Sequence, residues 1–498
     1  MYTNTNTETF DASSCIAHMW ITDHILLLHL GGMNHATLFA RIISYRDVLV
    51  GAFLALVSLS LHAIPFVLNS SNPLGYDTGF YRRYLIEPWI SIPNPPVPGL
   101  GTDALVPRIF LDVLRLTHLS PDVILYGSYL AFFCILPIVL YFLLKTHIGW
   151  RGAFFASLFV VLSPIQYNAF WFMFWKNAWA LCLLATALLF LDRRWFIPLF
   201  AIDIALAFSH KTTAILYIAT LGVLFLIDTS RRKHAFIHAV LAFACLMATS
   251  SRVLIASASI RPEAIFMDWS TYLGLSTAFL ILIFVVLICN PSVFRRTTIP
   301  LVMSAFAIAA FLFPIFHIPF YERIFIFCDI AIAVLAGYAF SSLISRVDIT
   351  NFPLRSILGI AGMCIATGFL AGILFDQVRA LKPLFSDAAI SSIEEIGARV
   401  PRTATILTTS DEAPWFEGWT RSHIAAPGML HDNHNLQEWM AFWTSTSTKE
   451  RAAFLSDLPH PLYVATLGDI GDLLGSTTIP CLTRLSPTLF LDECQHDI

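Results

Sequence analysis

The sequence carries few charges for its length. Charged residues make up 13% of its 498 positions, whereas a soluble globular domain has about a quarter. The deficit extends over most of the chain, where 57% of residues are hydrophobic and the mean hydropathy is +0.71. This composition excludes an ordinary soluble enzyme and predicts a polytopic protein embedded in a lipid bilayer.

Several sequence signatures of soluble binding proteins are also missing. The net charge is −3, so no basic footprint for nucleic acid is present and no nucleic-acid partner is expected. The nine cysteines include no Cys-x-x-Cys pair, which excludes the common zinc and redox motifs. Neither Gly-x-Gly-x-x-Gly nor a phosphate loop occurs, so no nucleotide site is predicted.

Apolar runs replace the missing charge. About eleven candidate spans follow one another from residue 48 to residue 374, and several are shorter than the roughly 20 residues of a straight span. Five short connections, on alternate sides, are basic, and the positive-inside rule assigns them to the cytoplasm. The rule therefore places the N-terminus inside and the C-terminus outside. The basic connections contain Lys145 and Arg151, Arg193 and Arg194, Arg231–Lys233, Arg295 and Arg296, and Arg346 and Arg355.

The composition predicts three parts. We expect residues 1–46 to be a cytoplasmic N-terminal extension, residues 47–374 a transmembrane domain, and residues 375–498 an extracytoplasmic domain. Charges and turn residues return from residue 376, and predicted strands alternate there with helices, as in a small α/β domain. Cys481 and Cys494 flank a predicted terminal hairpin and could form a disulfide if that end lies outside the cytoplasm.

The connection between the first two spans, residues 69–122, is much longer than a simple linker needs to be. It contains Gly75–Arg83 directly after the first span and an amphipathic segment, Val106–His118, typical of an interfacial helix. Within it, Asp77 could act as general base on an acceptor hydroxyl or help to hold a divalent metal, Mg or Mn. Alternatively, Asp77 only caps the following helix.

Other charged residues fall on the same predicted side or inside spans. Asp203 and Asp329 lie within predicted spans, where a charge is either functional or part of a buried pair. His431 and Asp432 could ligate a metal or contact an acceptor, or they belong to a loop that caps the next helix. Arg82 could bind lipid headgroups only. The candidates for binding a lipid phosphate, which needs positive charge, are Arg323, Lys211, Arg82 and Lys176.

Local segments and their order together resemble a known superfamily. The order of elements resembles that of the GT-C superfamily of polyprenyl-phosphate-sugar glycosyltransferases, of an uncharacterised prokaryotic type. That order is one span, a long outer loop with an early Asp, many short spans and an outer α/β tail. That group includes protein mannosyltransferases, the aminoarabinose transferase of lipid A and oligosaccharyltransferase catalytic subunits. The resemblance covers roughly residues 46–491. The matching segments are Ser163–Tyr167 with Lys176 and Asn177, Phe208–Thr212, Phe320–Ile324 with Ala331–Tyr338, and Trp415–Trp419.

The resemblance implies a fold, an activity and site residues. It implies an α-helical polytopic protein of the plasma or inner membrane with a small C-terminal α/β domain. It also implies inverting transfer of a sugar from a polyprenyl-phosphate donor to a glycan, lipid or protein acceptor at the outer face. Asp77 takes the place of the catalytic Asp, and Arg323 that of the Arg facing the lipid phosphate. The residues assigned to the acceptor side are Tyr81, His210, Trp415, His431 and Asp432.

Two departures limit this transfer of roles. The Trp-Trp-Asp-Tyr-Gly motif is absent, and the Gln166–Lys176 hairpin holds no Asp-x-Asp or Glu-x-Asp pair. Glycosylation of protein asparagine is therefore not expected, and a metal is not specified. A transporter or flippase of lipid-linked sugars is the alternative, although the repeated halves typical of transporters are not visible. A membrane assembly protein without chemistry is the third reading.

Overall fold

The computed structural model describes residues 45–68, 75–87, 105–257, 267–289, 299–318, 321–345, 354–427, 434–468, 479 and 481–493. The chain divides into two units, residues 1–53 and 54–498, and the packing reported below lies within the second. The predicted N-terminal extension, residues 1–46, falls outside the described residues except at its end. Among the described residues, thirteen α-helices precede residue 381. They are α1 (Tyr45–Leu68), α2 (Thr78–Ile86), α3 (Leu105–Arg115), α4 (Pro121–Val161), α5 (Pro164–Trp171), α6 (Trp175–Arg193), α7 (Phe196–Ala207), α8 (Lys211–Ile227), α9 (Arg232–Ser257), α10 (Trp269–Cys289), α11 (Leu301–Ile315), α12 (Tyr321–Ile344) and α13 (Leu354–Ala380).

The described helices establish an integral membrane protein. Six of them, α1, α4, α6, α10, α12 and α13, contain stretches long and apolar enough to cross a bilayer, and α7, α8 and α11 are shorter apolar helices. Large apolar side chains face outward, such as Ile197, which is 87% exposed, and Phe284, which is 62% exposed. Such exposure is unfavourable in water and appropriate in lipid. The number of spans, about eleven, stays a prediction.

Proline and glycine set the breaks between the spans. Ser120 caps α4 by accepting a hydrogen bond from the Val123 N–H, and Gly149, with φ +74°, bends the helix internally. Ser163 caps α5 in the same way, and Pro164 occupies its first turn, where a missing N–H costs nothing. The predicted span Gly152–Phe170 is therefore two helices, because Ser163 and Pro164 start a new one.

Buried polar networks hold the in-span carboxyls. The Asp203 carboxylate accepts a hydrogen bond from the Tyr217 hydroxyl at 2.8 Å and pairs with His238 at 2.5 Å. Asp329 accepts hydrogen bonds from the Ser163 hydroxyl at 2.7 Å and the Gln166 amide at 2.8 Å. Both carboxyls are fully buried. The structure thus supports the structural alternative, a buried pair, for Asp203, whereas Oδ1 of Asp329 has no hydrogen-bond partner among the described residues.

The C-terminal part is a small α/β fold, as the alternation of strands and helices predicted. A five-stranded sheet has the order β2-β1-β3-β5-β4. Strand β1 pairs in parallel with β2 and β3, and β5 pairs antiparallel with both β3 and β4. The sequence analysis did not predict β2, a strand of three residues, or α15, a helix of seven residues. The elements are α14 (Asp387–Arg399), β1 (Thr405–Leu407), α15 (Ala413–Trp419), β2 (His423–Ala425), α16 (Leu436–Thr444), α17 (Thr448–Ser456), β3 (Leu462–Ala465), β4 (Leu482–Ser486) and β5 (Leu489–Asp492).

The sheet separates two apolar cores. Ile406 and Leu407 are neighbours on β1 and point to opposite faces, so that Ile406 joins one core and Leu407 the other. The core around Ile406 also contains Phe80, which belongs to α2 of the first loop. The first loop therefore supplies part of the hydrophobic core of the C-terminal fold.

The predicted domain limits stay predictions, and the structure describes one of the two cysteines of the predicted disulfide. Helix α13 continues to Ala380, beyond the predicted boundary at residue 375, and the boundaries stay predictions. Cys481 is disulfide-bonded, and Cys494, its predicted partner, lies outside the described residues.

Candidate active site

The turn that carries Asp77 is fixed by a glycine packed against another loop. Gly75 has φ +77°, a backbone conformation that residues with a side chain rarely adopt. A Cβ at this position would lie 2.2 Å from the Met173 Cβ, so only glycine allows the close approach. The turn consequently lies against the hairpin between α5 and α6, three residues before Lys176.

The Asp77 carboxyl does not serve as a helix cap. Asp77 occupies the N-cap position of α2, yet its side chain makes no capping hydrogen bond, which argues against the structural alternative. Burial raises the pKa of this carboxyl, while the nearby charges of Arg323 and Lys176 act in the opposite direction. The side chain keeps partial exposure. The structure thus brings together three of the predicted site residues, with a carboxyl more basic than usual beside two cations.

A third cation and a histidine complete the positive region. Lys176, Arg323 and Lys211 all lie within electrostatic reach of His210. The His210 ring begins α8, where its Nδ1 is 2.8 Å from the Thr213 hydroxyl. His210 is buried, and the three cations are partly exposed. Two of the cations act on the Asp77 carboxyl and all three act on His210, so the region has an excess of positive charge, which suits an anionic ligand.

Tyr81 links the carboxyl to the cations. Its side chain is buried, and its hydroxyl is hydrogen-bonded to the backbone of Lys176. Burial and the charge of Asp77 both raise the pKa of the phenol, so Tyr81 stays neutral and keeps its proton. Tyr81 is therefore part of the group around Asp77, one turn along α2, as its sequence position predicted.

Arg82 is directed away from this group. Its Nε contacts the Asp122 carboxylate at 3.0 Å, its Nη1 donates to the Gly418 carbonyl at 2.6 Å, and its guanidinium lies 4.4 Å from the centre of the Trp419 ring. The contacts with Gly418 and Trp419 pack α2 against α15, and the contact with Asp122 joins α2 to α4. The structure gives no support to the predicted role of Arg82 in binding phosphate, because the side chain is committed to this interface.

Of the remaining acceptor-side candidates, the structure describes Trp415, which is a core residue. Trp415 is completely buried in the core of the C-terminal fold, where its ring packs on Phe385 and Trp419. A side chain without exposed surface cannot contact an acceptor, so the geometry is that of a core residue. His431 and Asp432 lie outside the described residues.

The described residues around Asp77 do not fit a divalent metal. No group of three or more His, Cys, Asp and Glu side chains that could hold a metal occurs in the part of the chain that the structure describes. The neighbours that act on the Asp77 carboxyl are cations, which repel a metal ion. Hard divalent cations need several oxygen ligands, and one carboxyl with two cations does not provide them.

An apolar cavity of about 520 Å³ lies beside the group, between α3, α4 and α6. Trp179 lines it and donates a hydrogen bond from its ring N–H to the Ser209 hydroxyl at 3.0 Å, next to His210. Trp179 also stacks on Trp175, whose ring is 5.7 Å from that of Tyr81. One layer of aromatic rings therefore separates this apolar space from the charged group. Sequence reasoning did not find the cavity, because its lining residues are ordinary apolar side chains from three helices.

Comparison with known proteins gives structural matches only. No protein-family model and no curated protein matches the sequence. The oligosaccharyltransferase of Archaeoglobus fulgidus, tethered with an acceptor peptide, has a TM-score of 0.59 at 12% identity, over 86% of this chain and 69% of that one. ArnT from Cupriavidus metallidurans bound to undecaprenyl phosphate has a TM-score of 0.53 at 13% identity, over 89% and 97%. The arabinofuranosyltransferase AftD from mycobacteria has a TM-score of 0.55 at 12% identity, over 89% and 37%.

These three proteins are glycosyltransferases of the GT-C type. The matches extend over most of this chain. At identities of 12 and 13% they establish the architecture and leave residue roles to the geometry described above. The fold expected from the sequence is therefore confirmed, and the chain is an integral membrane protein with a GT-C-like fold.

Proposed function

We propose that this protein is a membrane glycosyltransferase that moves a sugar from a polyprenyl-phosphate-linked donor to an acceptor hydroxyl, with inversion at the sugar carbon. The observation that carries the proposal is the Asp77 carboxyl itself. It makes no capping bond, its pKa is raised by burial, and Arg323 and Lys176 stand beside it. A general base works best when its pKa approaches the working pH.

The positive charge around Asp77 supports an anionic, phosphate-bearing donor. Arg323 and Lys176 act on Asp77, and together with Lys211 they act on His210; the three cations lie near the ends of three different helices. The ArnT structure holds undecaprenyl phosphate, a ligand with a charged head and a long apolar chain. By analogy, the head of such a donor would meet the three cations here. Its chain would enter the apolar cavity behind Trp179.

The proposed chemistry is a single displacement. Asp77 takes the proton of the acceptor hydroxyl while the acceptor oxygen attacks the anomeric carbon. The bond between that carbon and the phosphate oxygen breaks, and the electron pair leaves with the polyprenyl phosphate. Arg323, Lys176 and Lys211 stabilise the negative charge that develops there. Attack opposite to the departing phosphate inverts the configuration.

The proposed topology places this reaction outside the cytoplasm. The alternation of basic connections supports a cytoplasmic N-terminus, and with it an extracytoplasmic first loop and C-terminal part. Asp77 follows the first span closely, so the reaction would occur at the outer surface of the plasma or inner membrane. Protease protection of the C-terminal part in sealed, oriented vesicles tests this orientation.

A transfer assay tests the function. Purified protein in lipid vesicles receives radiolabelled polyprenyl-phosphate mannose, glucose or arabinose together with total membrane acceptors, with and without divalent metal. Transfer of label from one of these donors is the expected result, and it should persist in the presence of a chelator. Movement of intact labelled lipid across the bilayer without transfer would instead identify a transporter. If the protein neither transfers label nor moves lipid across the bilayer, the result would favour an assembly protein.

A further inference from the structure

Two consecutive segments of the first loop, on either side of Asp77, are anchored in the C-terminal fold. We infer that the C-terminal fold positions Asp77: α15 and the strand-to-helix loop before it hold Tyr76 and α2, and thereby set where the carboxyl stands. The role as a positioning element rests on the proposed function of Asp77. The contacts themselves, described next, are independent of that function.

The first anchor is a contact between two glycines. Gly79, two residues after Asp77, lies against Gly418 of α15, and a Cβ on Gly418 would lie 2.5 Å from the Gly79 Cα. A Cβ on Gly79 would in turn meet the Pro414 carbonyl oxygen at 1.5 Å. Backbone therefore packs on backbone at this crossing. Any side chain at either position must push α2 away from α15, because real atoms do not approach so closely.

The second anchor is a pair of arginines on α2. Arg83 is buried and donates to the Thr420 carbonyl at 2.8 Å and the Arg421 carbonyl at 3.1 Å, while Arg82 donates to the Gly418 carbonyl at 2.6 Å. These carbonyls belong to the end of α15 and the residues after it, where a helix leaves acceptors unused. Charged donors make strong hydrogen bonds to such carbonyls. They fix both the distance and the rotation of α2.

The third anchor lies on the other side of Asp77. The Tyr76 hydroxyl donates a hydrogen bond to the Ser410 carbonyl, in the loop between β1 and α15. Asp77 is thus one residue from one attachment and two residues from the next. Gly75 meanwhile packs on the hairpin that leads to Lys176. The carboxyl consequently stands where the C-terminal fold and the cation-bearing hairpin both hold its turn.

Two variants test this positioning role. Gly418→Ala adds the one carbon that meets Gly79, and Tyr76→Phe removes the hydroxyl with no change in ring size. The matched controls are Gly222→Ala, where a Cβ meets open space, and Tyr463→Phe on β3, which removes a hydroxyl from the same fold and keeps the ring that packs on the core around Ile406. Neither control residue belongs to the proposed site. Tyr76→Phe keeps the test valid if Gly418→Ala fails to fold.

Two readouts separate positioning from the proposed chemistry. The first is carbodiimide labelling of Asp77, followed by mass spectrometry of the peptide over a pH series, which reports the protonation and access of the carboxyl without any transfer. The second is the donor KM and the kcat of transfer, together with the pH profile of kcat. Misplacement of a reacting group by about 1 Å can lower a rate by about a hundredfold.

We expect the pH midpoint of Asp77 labelling to shift in both variants but not in the controls. We also expect both variants to have a kcat at least tenfold lower and an almost unchanged donor KM. An unchanged midpoint in both folded variants would overturn the positioning role, as would an unchanged kcat and pH profile in variants that transfer label. Absence of transfer by the wild type, with a displaced midpoint in the variants, would refute the proposed function and leave the positioning of the carboxyl established.

Discussion

Replacing Glu417 by Gln should stabilise the protein at alkaline pH. Glu417 lies in α15 next to Gly418 and is buried, with its Oε1 3.9 Å from the Arg83 Nε. Burial raises the pKa of this carboxyl from 4.5 to about 7. The charge of Arg83 offsets this only in part, and that of Glu87 adds to it. Arg83 keeps its 3.0 Å contact with Glu87 and its two carbonyl partners after the replacement.

The sign and size of the effect follow from the two pKa values. Below pH 4.5 Glu417 is protonated in both the folded and the unfolded protein and costs nothing. Between pH 4.5 and about 7 the unfolded chain releases the proton first, so stability falls as the pH rises. Above pH 7 the full difference applies, about 3 kcal/mol at roughly 1.4 kcal/mol for each pKa unit. Gln carries no charge and avoids this cost.

The assay is thermal unfolding in detergent at pH 5 and pH 8.5, for wild type and Glu417→Gln. The variant should gain on the order of 10 °C at pH 8.5, if the cooperative unit has roughly 100 residues, and much less at pH 5. Glu450→Gln on α17, an exposed glutamate of the same fold, is the control and should not show this pH-dependent gain. A variant that is less stable than wild type at pH 8.5 would refute the reasoning. It would show that the attraction between Glu417 and Arg83 exceeds the cost of burial.

Two further predictions concern the site. Arg323→Gln removes a charge that lowers the pKa of Asp77, so the acidic limb of the kcat profile should move upward by about one to three pH units; an unmoved limb would contradict the pairing. Gly127→Phe enters the apolar cavity, because a Cβ at Gly127 meets open space, and should raise the KM of a full-length polyprenyl donor but not of a two-isoprene donor. Gly222→Phe, equally open but outside the residues lining that cavity, should leave both KM values unchanged; equal effects of the two variants would exclude the cavity as the chain site.

Periodicity and composition predicted most of the helices. The predicted span Thr212–Ile227 is α8 (Lys211–Ile227), and the predicted interfacial helix Val106–His118 is α3 (Leu105–Arg115). Both kinds of helix can be predicted from consecutive residues, because apolar runs indicate the spans and amphipathic spacing indicates the interfacial helix. The terminal hairpin was equally visible, because two short apolar strands flank a Ser-Pro turn. Local patterns were therefore sufficient wherever the structure is determined locally.

The sequence could not show which distant segments pack together. Arg82 follows Asp77 closely and was assigned to the same chemistry, yet its partners are Asp122 and the Gly418 carbonyl. Trp415 was assigned to the acceptor side and is instead a core residue. No spacing rule reveals a contact between residues more than three hundred positions apart. Gly79 and Gly418 were the available signal, since each lies within a helix, where no turn requires a glycine.

The measurement that tests the central claim most directly compares Asp77→Asn with Asp268→Asn in the transfer assay. Asp268 is an exposed carboxylate before α10 that accepts hydrogen bonds from the Thr271 N–H at 2.7 Å and the Ser270 hydroxyl at 3.0 Å, and Asn can accept the same bonds. Asp77→Asn should lower transfer about a hundredfold or more, the usual contribution of a general base, with a thermal stability no lower than that of the wild type, while Asp268→Asn should transfer like wild type. Full transfer by Asp77→Asn would contradict the account.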